Sequence, residues 1–524
     1  MNRFKLYLTT IISMLTFAAF SVVSYAETAS AAGSSGSILN DVTGFTASAS
    51  MANSGVEYSI PQPIGGEEYL FLPAQGSLNS IVINCNKGVI LSLKKGNTVE
   101  TITPGVAIDL SKFLSKPASD GSSELIVEAN ISGVTSEYKI HVMKSQNIAS
   151  MYINTKDPVN KGLYYIANNK TFKTSGTMAM TDANGAMIYN GGVSNVKTRG
   201  NSTWIAVKKP FQIKLDKKTD LCNTGNPLNA DKTWILLANA FDPTLLHNTV
   251  AFDMARGLGL NTPDSKAVDL FFDHKYIGSY LLTEKIETSK GRVDIDKKGY
   301  LLELDLAYFN QEEEYIMDAD ATPFVVKSPG KLPSDRKKYI TDYMNNVLNA
   351  TKNGGVDPAT GANISDLVDL ESLAKLYVLE ETVKNPDAFV SSTYLYLPEG
   401  GKLTAGPVWD FDSSFGIRSD IGMNTTSGRA CHEGWIDNFL KLPEFKKLVK
   451  KYESDVYSLA ASEANSKING YVNNISASQK MDAVCYRDFK VGIYDEKPTY
   501  SQNISYFKTF LKNRNSWAKS NLGK

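Results

Sequence analysis

Three aspartates flank one short antiparallel pattern, and their spacing suits chemistry on a charged substrate. Residues 385–416 read N-P-D-A-F-V-S-S-T-Y-L-Y-L-P-E-G-G-K-L-T-A-G-P-V-W-D-F-D-S-S-F-G. Positions 393–397 alternate β-branched, aromatic and apolar side chains. Pro398, Glu399, Gly400 and Gly401 form a turn, and 402–409 run back as a second strand. A hairpin returns the chain to its start, so Asp387, before the first strand, comes near Asp410 and Asp412, after the second. Like charges placed that close repel unless a divalent metal or a shared proton lies between them. Hard carboxylate oxygens favour magnesium or calcium. Taken singly, each Asp reads as a turn cap or a solvated loop acid; the hairpin that joins them argues for a site.

The flanking segments must hold this hairpin still. Leu370, Leu373, Leu376, Tyr377, Val378 and Val383 follow helical spacing after Asp369, and the pattern runs into Asn385, Pro386 and Asp387. Pro386 forbids continuation, which leaves Asp387 on a loop pinned by a buried helix. A second helical pattern follows Ser334, and beyond Gly416 residues 439–456, 459–475 and 504–522 are helical again. Protein kinases show a comparable order: a catalytic-loop Asp, a polar metal ligand five positions on, a short hairpin, then a metal-binding Asp. The fifth position here is Ser392.

Upstream the character is strand-rich. Arg199 lies in R-G-N-S-T-W, and Lys214 in K-K-P-F-Q-I-K-L, where Phe211, Ile213 and Leu215 alternate with Gln212 and Lys214. A donor-rich Gly turn followed by a Lys-bearing strand is one way to cradle phosphates; a solvated basic strand is the plainer alternative. Residues 244–256 have helical spacing between Asp242-Pro243 and Gly257, with His247 and Asn248 expected on the polar face. Residues 267–272 and 276–283 form a second hairpin, and 300–304 add a strand. Glu284, with Lys285 at a strand exit, suits either a nucleotide contact or an ordinary ion pair. A sheet-rich half and a helix-rich half enclosing the two-Asp hairpin make a bilobal layout.

The whole chain has 524 residues, which suggests about three domains, and its 55 basic and 55 acidic side chains cancel. Such balance supplies no global field for nucleic acid or anionic membrane, so any phosphate site is local. Residues 1–26 read as a signal peptide, with Arg3 and Lys5 before an apolar run and small residues at its exit, and 27–41 as a linker. No later segment is apolar enough to span a membrane after cleavage. Residues 42–146 carry short strands at the spacing of an Ig-like β-sandwich, with no catalytic constellation. Cys85, Cys222, Cys431 and Cys485 are too spread for a disulfide scaffold or a zinc site; Cys431 with Cys485 is the one pairing considered. His432 and Glu433 beside Cys431 are adjacent in sequence and do not converge on one atom.

In order along the chain, R-G-N-S-T-W, K-K-P-F-Q-I-K-L, the helix after Asp242, G-S-Y-L-L-T-E-K-I-E, V-V-K-S-P, N-P-D-A-F-V-S-S-T-Y-L-Y and G-P-V-W-D-F-D-S-S-F-G resemble the spore-coat protein H (CotH) kinase family. The resemblance covers about residue 147 to the early C-terminal helices. It implies an α+β bilobal, atypical protein-kinase-like catalytic domain at 147–420 and a helical C-terminal part at 421–524. It also implies phosphorylation of proteins with ATP and magnesium, with Asp387 as the catalytic-loop Asp and Asp410, close to Asp412, as the metal-binding Asp. Many members carry His-Asn where this chain has Ser391 and Ser392, so the second metal position holds a hydroxyl. Arg199, Lys214 and Glu284 are the candidate nucleotide contacts. Two expectations follow: a secreted or cell-surface kinase, as in a spore coat, acting on a Ser-rich coat or surface protein; or an inactive kinase-like protein whose N-terminal domain binds a surface partner.

Overall fold

The computed structural model describes residues 46–48, 58–431, 434–486 and 493–523. The expected signal peptide and linker, and His432 with Glu433, lie outside the described residues. Two compact units emerge. The first takes Met1–Ala240, Ser265–Thr283 and Val472–Lys490; the second takes Phe241–Asp264, Glu284–Tyr471 and Val491–Lys524.

In the first unit the N-terminal part is β-rich. A three-stranded sheet (Thr46–Ser48, Ile81–Asn84, Ala107–Ile108) and a six-stranded one share a single apolar core. The larger sheet runs Gln62–Ile64, Glu67–Leu72, Val134–Lys144, Ser123–Ile131, Val89–Lys95, Thr98–Thr101, and its second and third strands pair in parallel. Alternation explains the layering: in Ser123–Ile131 the inward Leu125, Val127 and Ala129 are buried and the residues between them are less so. The next seven strands close into a barrel, Ala149–Thr155 through Asp231–Leu237 with Ser265–Phe272 and Lys275–Glu284 completing the ring. Phe211, Ile213 and Leu215 fill its interior with Trp234, Met178 and Met180, while Lys214 faces solvent. The strands were legible in the sequence, but ring closure was not. It depends on the parallel pairing of Ala149–Thr155 with Ser265–Phe272, more than a hundred residues apart.

The second unit is mixed α/β with a helical C-terminal part. Its five-stranded sheet runs Tyr315–Met317, Pro323–Ser328, Tyr300–Leu304, Thr393–Leu397, Thr404–Ala405. Helices His247–Gly257, Ser334–Lys352, Leu370–Val383, Pro443–Ser462 and Tyr500–Asn521 accompany it, and Leu370–Val383 is buried nearly all round, its polar Ser372, Glu380, Glu381 and Thr382 included. The hairpin expected at 393–409 forms with a much shorter return strand. Pro407 has no N–H to give, Gly406 adopts φ +117, and the ladder stops at Ala405. The return leg is held instead by the start of the Leu370–Val383 helix: Asp369 N–H donates to Leu403 O at 2.9 Å, and Ala405 N–H to Ser372 Oγ at 2.9 Å.

His247 and Asn248 are not on a polar face. Both are buried, and their polar atoms serve the loop at 410–412 described below. All four cysteines are free thiols, so the Cys431 to Cys485 pairing is not made. Burial pushes both of those thiols well up, and the Glu381 carboxylate adds to this at Cys431. No helix among the described residues is long and apolar enough to cross a membrane.

Candidate active site

The helix Leu370–Val383 begins under Asp369, whose side chain accepts from the N–H groups of Glu371 and Ser372. It ends where Pro386 stops it, with Lys384 in the left-handed region at φ 52. The loop that follows is internally tied. The Asp387 carbonyl accepts from Val390 N at 3.0 Å and Ser391 N at 2.9 Å, and its own N–H donates to Asn385 Oδ1 at 3.1 Å. The Tyr300–Leu304 strand, paired with Thr393–Leu397, delivers Asp305 to the same place. Asp305 accepts from Ser391 Oγ at 2.8 Å, Ala307 N at 2.9 Å and Gln311 Nε2 at 2.7 Å.

The Asp387 carboxylate itself has no hydrogen-bond partner among the described residues. Its side chain keeps partial solvent access while protein atoms crowd around it. That enclosure, then Asp410 and Asp305, push it up to about 6, against the pull of Arg418. An acid held by its backbone and free at its carboxylate is fit to take a proton.

Asp410 faces it in the left-handed region, φ 68. Its Oδ2 accepts from Ser392 Oγ at 3.0 Å, and its carbonyl from Asn385 Nδ2 at 3.5 Å. Asn385 thus touches both acidic loops, through the Asp387 N–H and the Asp410 carbonyl. Asp412 lies in the same loop but turns elsewhere: Asn248 Nδ2 donates to its Oδ1, and His247 Nδ1 to its carbonyl at 3.2 Å. Asn248 Oδ1 also accepts from Phe411 N at 3.0 Å, so the helix His247–Gly257 holds the loop by both ends of one amide. Gly416 closes the loop against Phe510, whose ring would lie only 2.2 Å from a Cβ there.

The hairpin thus brings Asp387, Asp410 and Ser392 together. Glu284 belongs to the second unit as well: its Oε2 accepts from Asp264 N at 2.9 Å, and Arg292 lies 3.9 Å from its Oε1. Arg199 and Lys214 belong to the first unit. Arg199 donates its backbone N–H to Pro210 O at the end of a barrel strand, and Lys214 is exposed on the barrel's outer face. The sequence reading missed Asp305, Glu380, Asn385, Asn248 and Arg418. A signal existed for two of them: Asp305 follows the strand L-L-E-L, and Glu380 follows the apolar run L-Y-V-L.

Glu380 lies behind the pair. It is buried, its Oε2 has no hydrogen-bond partner among the described residues, and burial pushes it up to about 8. Asn385 opposes this while Asp387 and Asp410 reinforce it. Unfolded, the same group ionises near 4.5. Its contribution to stability is therefore full below about 4.5 and is lost as pH rises through about 8, because the unfolded chain holds fewer protons over that window. In EDTA, Glu380→Gln should show a shallower fall in melting temperature between pH 4 and 9 than the parent. Equal slopes would remove Glu380 from this account.

No three His, Cys, Asp or Glu side chains gather into a metal cage among the described residues. Magnesium does not ask for one, since it is commonly held by one or two carboxylates with substrate phosphates and waters completing its shell. The neighbouring carboxylates of Asp387 and Asp410, with Ser392 Oγ on Asp410, fit a divalent cation brought with a polyphosphate.

A mixed α/β unit organised around paired loop carboxylates is the class this geometry defines. The family model described as CotH kinase protein matches residues 196–518, more than half of the chain, and the chain belongs to that family. No curated protein matches. Among solved structures, a chain of the "Shewanella oneidensis MR-1 Toxin Antitoxin System HipA, HipB and its operator DNA complex" is similar at 12% identity and a TM-score of 0.26. That match covers 55% of this chain and 59% of the other, a likeness too slight to bear on function.

Proposed function

We propose that this chain is a protein kinase that transfers the γ-phosphate of ATP to a protein hydroxyl with magnesium. The observation that carries the reading is the pair Asp387 and Asp410, one carboxylate free of hydrogen bonds and the other held by Ser392 in a strained backbone conformation. Family membership supports kinase chemistry. Asp410 with Ser392 would hold the cation, while Asp412 sets the shape of the loop through Asn248 and His247. Bound magnesium would neutralise phosphate charge and orient the triphosphate. Asp387 would accept the proton of the acceptor hydroxyl. Arg199 and Lys214 remain proposed phosphate contacts. Glu284 remains a proposed nucleotide contact too, its Oε2 already taking the Asp264 N–H and bracing the strand end.

The wider reading has the chain exported after signal cleavage and acting at the cell surface or spore coat on a Ser-rich protein, with an Ig-like N-terminal domain as the docking module. An inactive, binding-only protein is the alternative, and the hydroxyl of Ser392 in place of an amide is what favours it. Thermal shift separates the two. ATP should raise the melting temperature only with magnesium, and Asp410→Asn should abolish that rise, because the triphosphate and the acids repel without a cation between them. An equal shift in EDTA, or an undiminished one in Asp410→Asn, would overturn the assignment.

A further inference from the structure

The turn that leads into the Asp387 loop carries a buried cation with no ion-pair partner within 4 Å among the described residues. Lys384, three residues before Asp387, is 2% exposed. Its Nζ donates to the Thr425 carbonyl, to Ser427 O at 2.7 Å and to Thr425 Oγ1 at 2.9 Å. These acceptors are all neutral, and no carboxylate among the described residues lies within ion-pair distance of it. Nearby Arg514 is a second cation. It donates to Thr426 O at 3.0 Å and Gly428 O at 2.5 Å, but it has Glu381 Oε2 as its partner at 2.8 Å. Burial, then Arg514, lower Lys384 to about 8 against the opposing pull of Glu381, so at neutral pH it is still mostly charged. A buried ammonium with no carboxylate in contact is costly, and the fold places the hydroxyl of an exposed threonine on it.

We propose that Thr425 is a phosphorylation site whose phosphate Lys384 binds, tying the segment after the Asp410 loop to the start of the Asp387 loop. The hydroxyl already lies in contact with Nζ, and its other neighbours are the carbonyls of Gly422, at 3.2 Å, and Ser427, at 3.3 Å. A phosphate ester there turns a neutral contact into a charge-assisted one with strong acceptor oxygens. The donor is ATP, delivered by a second copy of this chain, and that part rests on the function proposed above. The Thr425 oxygen bonds to the γ-phosphorus, the bridging P–O bond breaks with its electron pair leaving on ADP, and the hydroxyl proton passes to Asp387 of the acting copy.

Two arms test this separately. Full-length protein made with phosphothreonine at position 425 should melt several degrees above the unmodified chain, and Lys384→Gln should erase that gain. No gain, or the same gain in Lys384→Gln, overturns the site. If Lys384→Gln does not fold, protease sensitivity of residues 417–431 with and without phosphothreonine decides: protection supports the site and unchanged cleavage overturns it. In the second arm, wild-type chain with magnesium and ATP should phosphorylate Asp387→Asn protein, with Thr425 found by mass spectrometry and Thr425→Val unlabelled there. Labelling of casein but not of Thr425 overturns self-modification while the kinase reading stands. No labelling of either removes both self-modification and the kinase reading, and the first arm still decides whether Lys384 binds phosphate.

Discussion

Asp387→Asn should bind magnesium and ATP as the parent does and transfer phosphate at least about 100-fold more slowly, the usual range for loss of a general base. The substitution keeps the shape of the side chain and removes only its charge. Every contact that fixes Asp387 is made by its backbone: its carbonyl with Val390 and Ser391, its N–H with Asn385. The loop should therefore survive the change. Phosphoryl transfer asks little covalent help of a protein beyond alignment of the acceptor and removal of its proton, so losing the proton acceptor should appear in kcat rather than in nucleotide affinity. Loss of ATP binding alongside activity would make Asp387 a metal ligand. Wild-type protein that binds ATP and phosphorylates neither itself nor any Ser-rich or Tyr-rich protein offered would favour the binding-only alternative.

The largest stability effect is expected at Arg514. Arg514 and Glu381 are both fully buried and meet at 2.8 Å. Glu381 also accepts from Ala430 N and Cys431 N, each at 2.9 Å, and its carbonyl accepts from Arg514 Nε at 2.8 Å. Arg514→Met strands a carboxylate in the core and leaves the carbonyls of Thr426 and Gly428 without their donor. Breaking such a pair from one side costs about 3–5 kcal/mol, a large part of the stability of a typical domain. The double variant Glu381→Gln with Arg514→Met should recover part of the loss, because Gln carries no charge and its single carbonyl oxygen still accepts from one of the Ala430 and Cys431 N–H groups, while its amide nitrogen cannot accept from the other. Denaturant unfolding, followed on the transition that cleaves or exposes the second unit, measures both. A double variant no better than Arg514→Met would mean that lost packing of the guanidinium on Trp517, 4.1 Å from its ring, outweighs the stranded charge.

Local pattern and chain connectivity were enough for part of this protein. Alternation in 123–131 and 211–215, the stop at Pro386 and the turn at 398–401 all follow from side-chain period and backbone chemistry, which neighbours in sequence dictate. The approach of Asp387 to Asp410 was legible for the same reason, since a hairpin is a local device and carries its two ends together. The family was legible because ordered motifs survive as strings.

What only the tertiary structure decided depends on partners far away in the chain. Residues 406–409 look like strand, yet after the Gly406 N–H bonds Tyr394 O the ladder ends, because Pro407 cannot donate and the Val408 N–H turns to Asn261 O, far back in the chain. His247 and Asn248 look like a polar helical face, yet are buried because the loop at 410–412 presents them with groups to satisfy. That Asn248 donates to Asp412 Oδ1 is likewise invisible in the sequence around Asp412. Asp387, Glu380 and Lys384 acquire meaning only from what surrounds them: a titratable group's charge is set by burial and by through-space neighbours, and neither is written in its position along the chain.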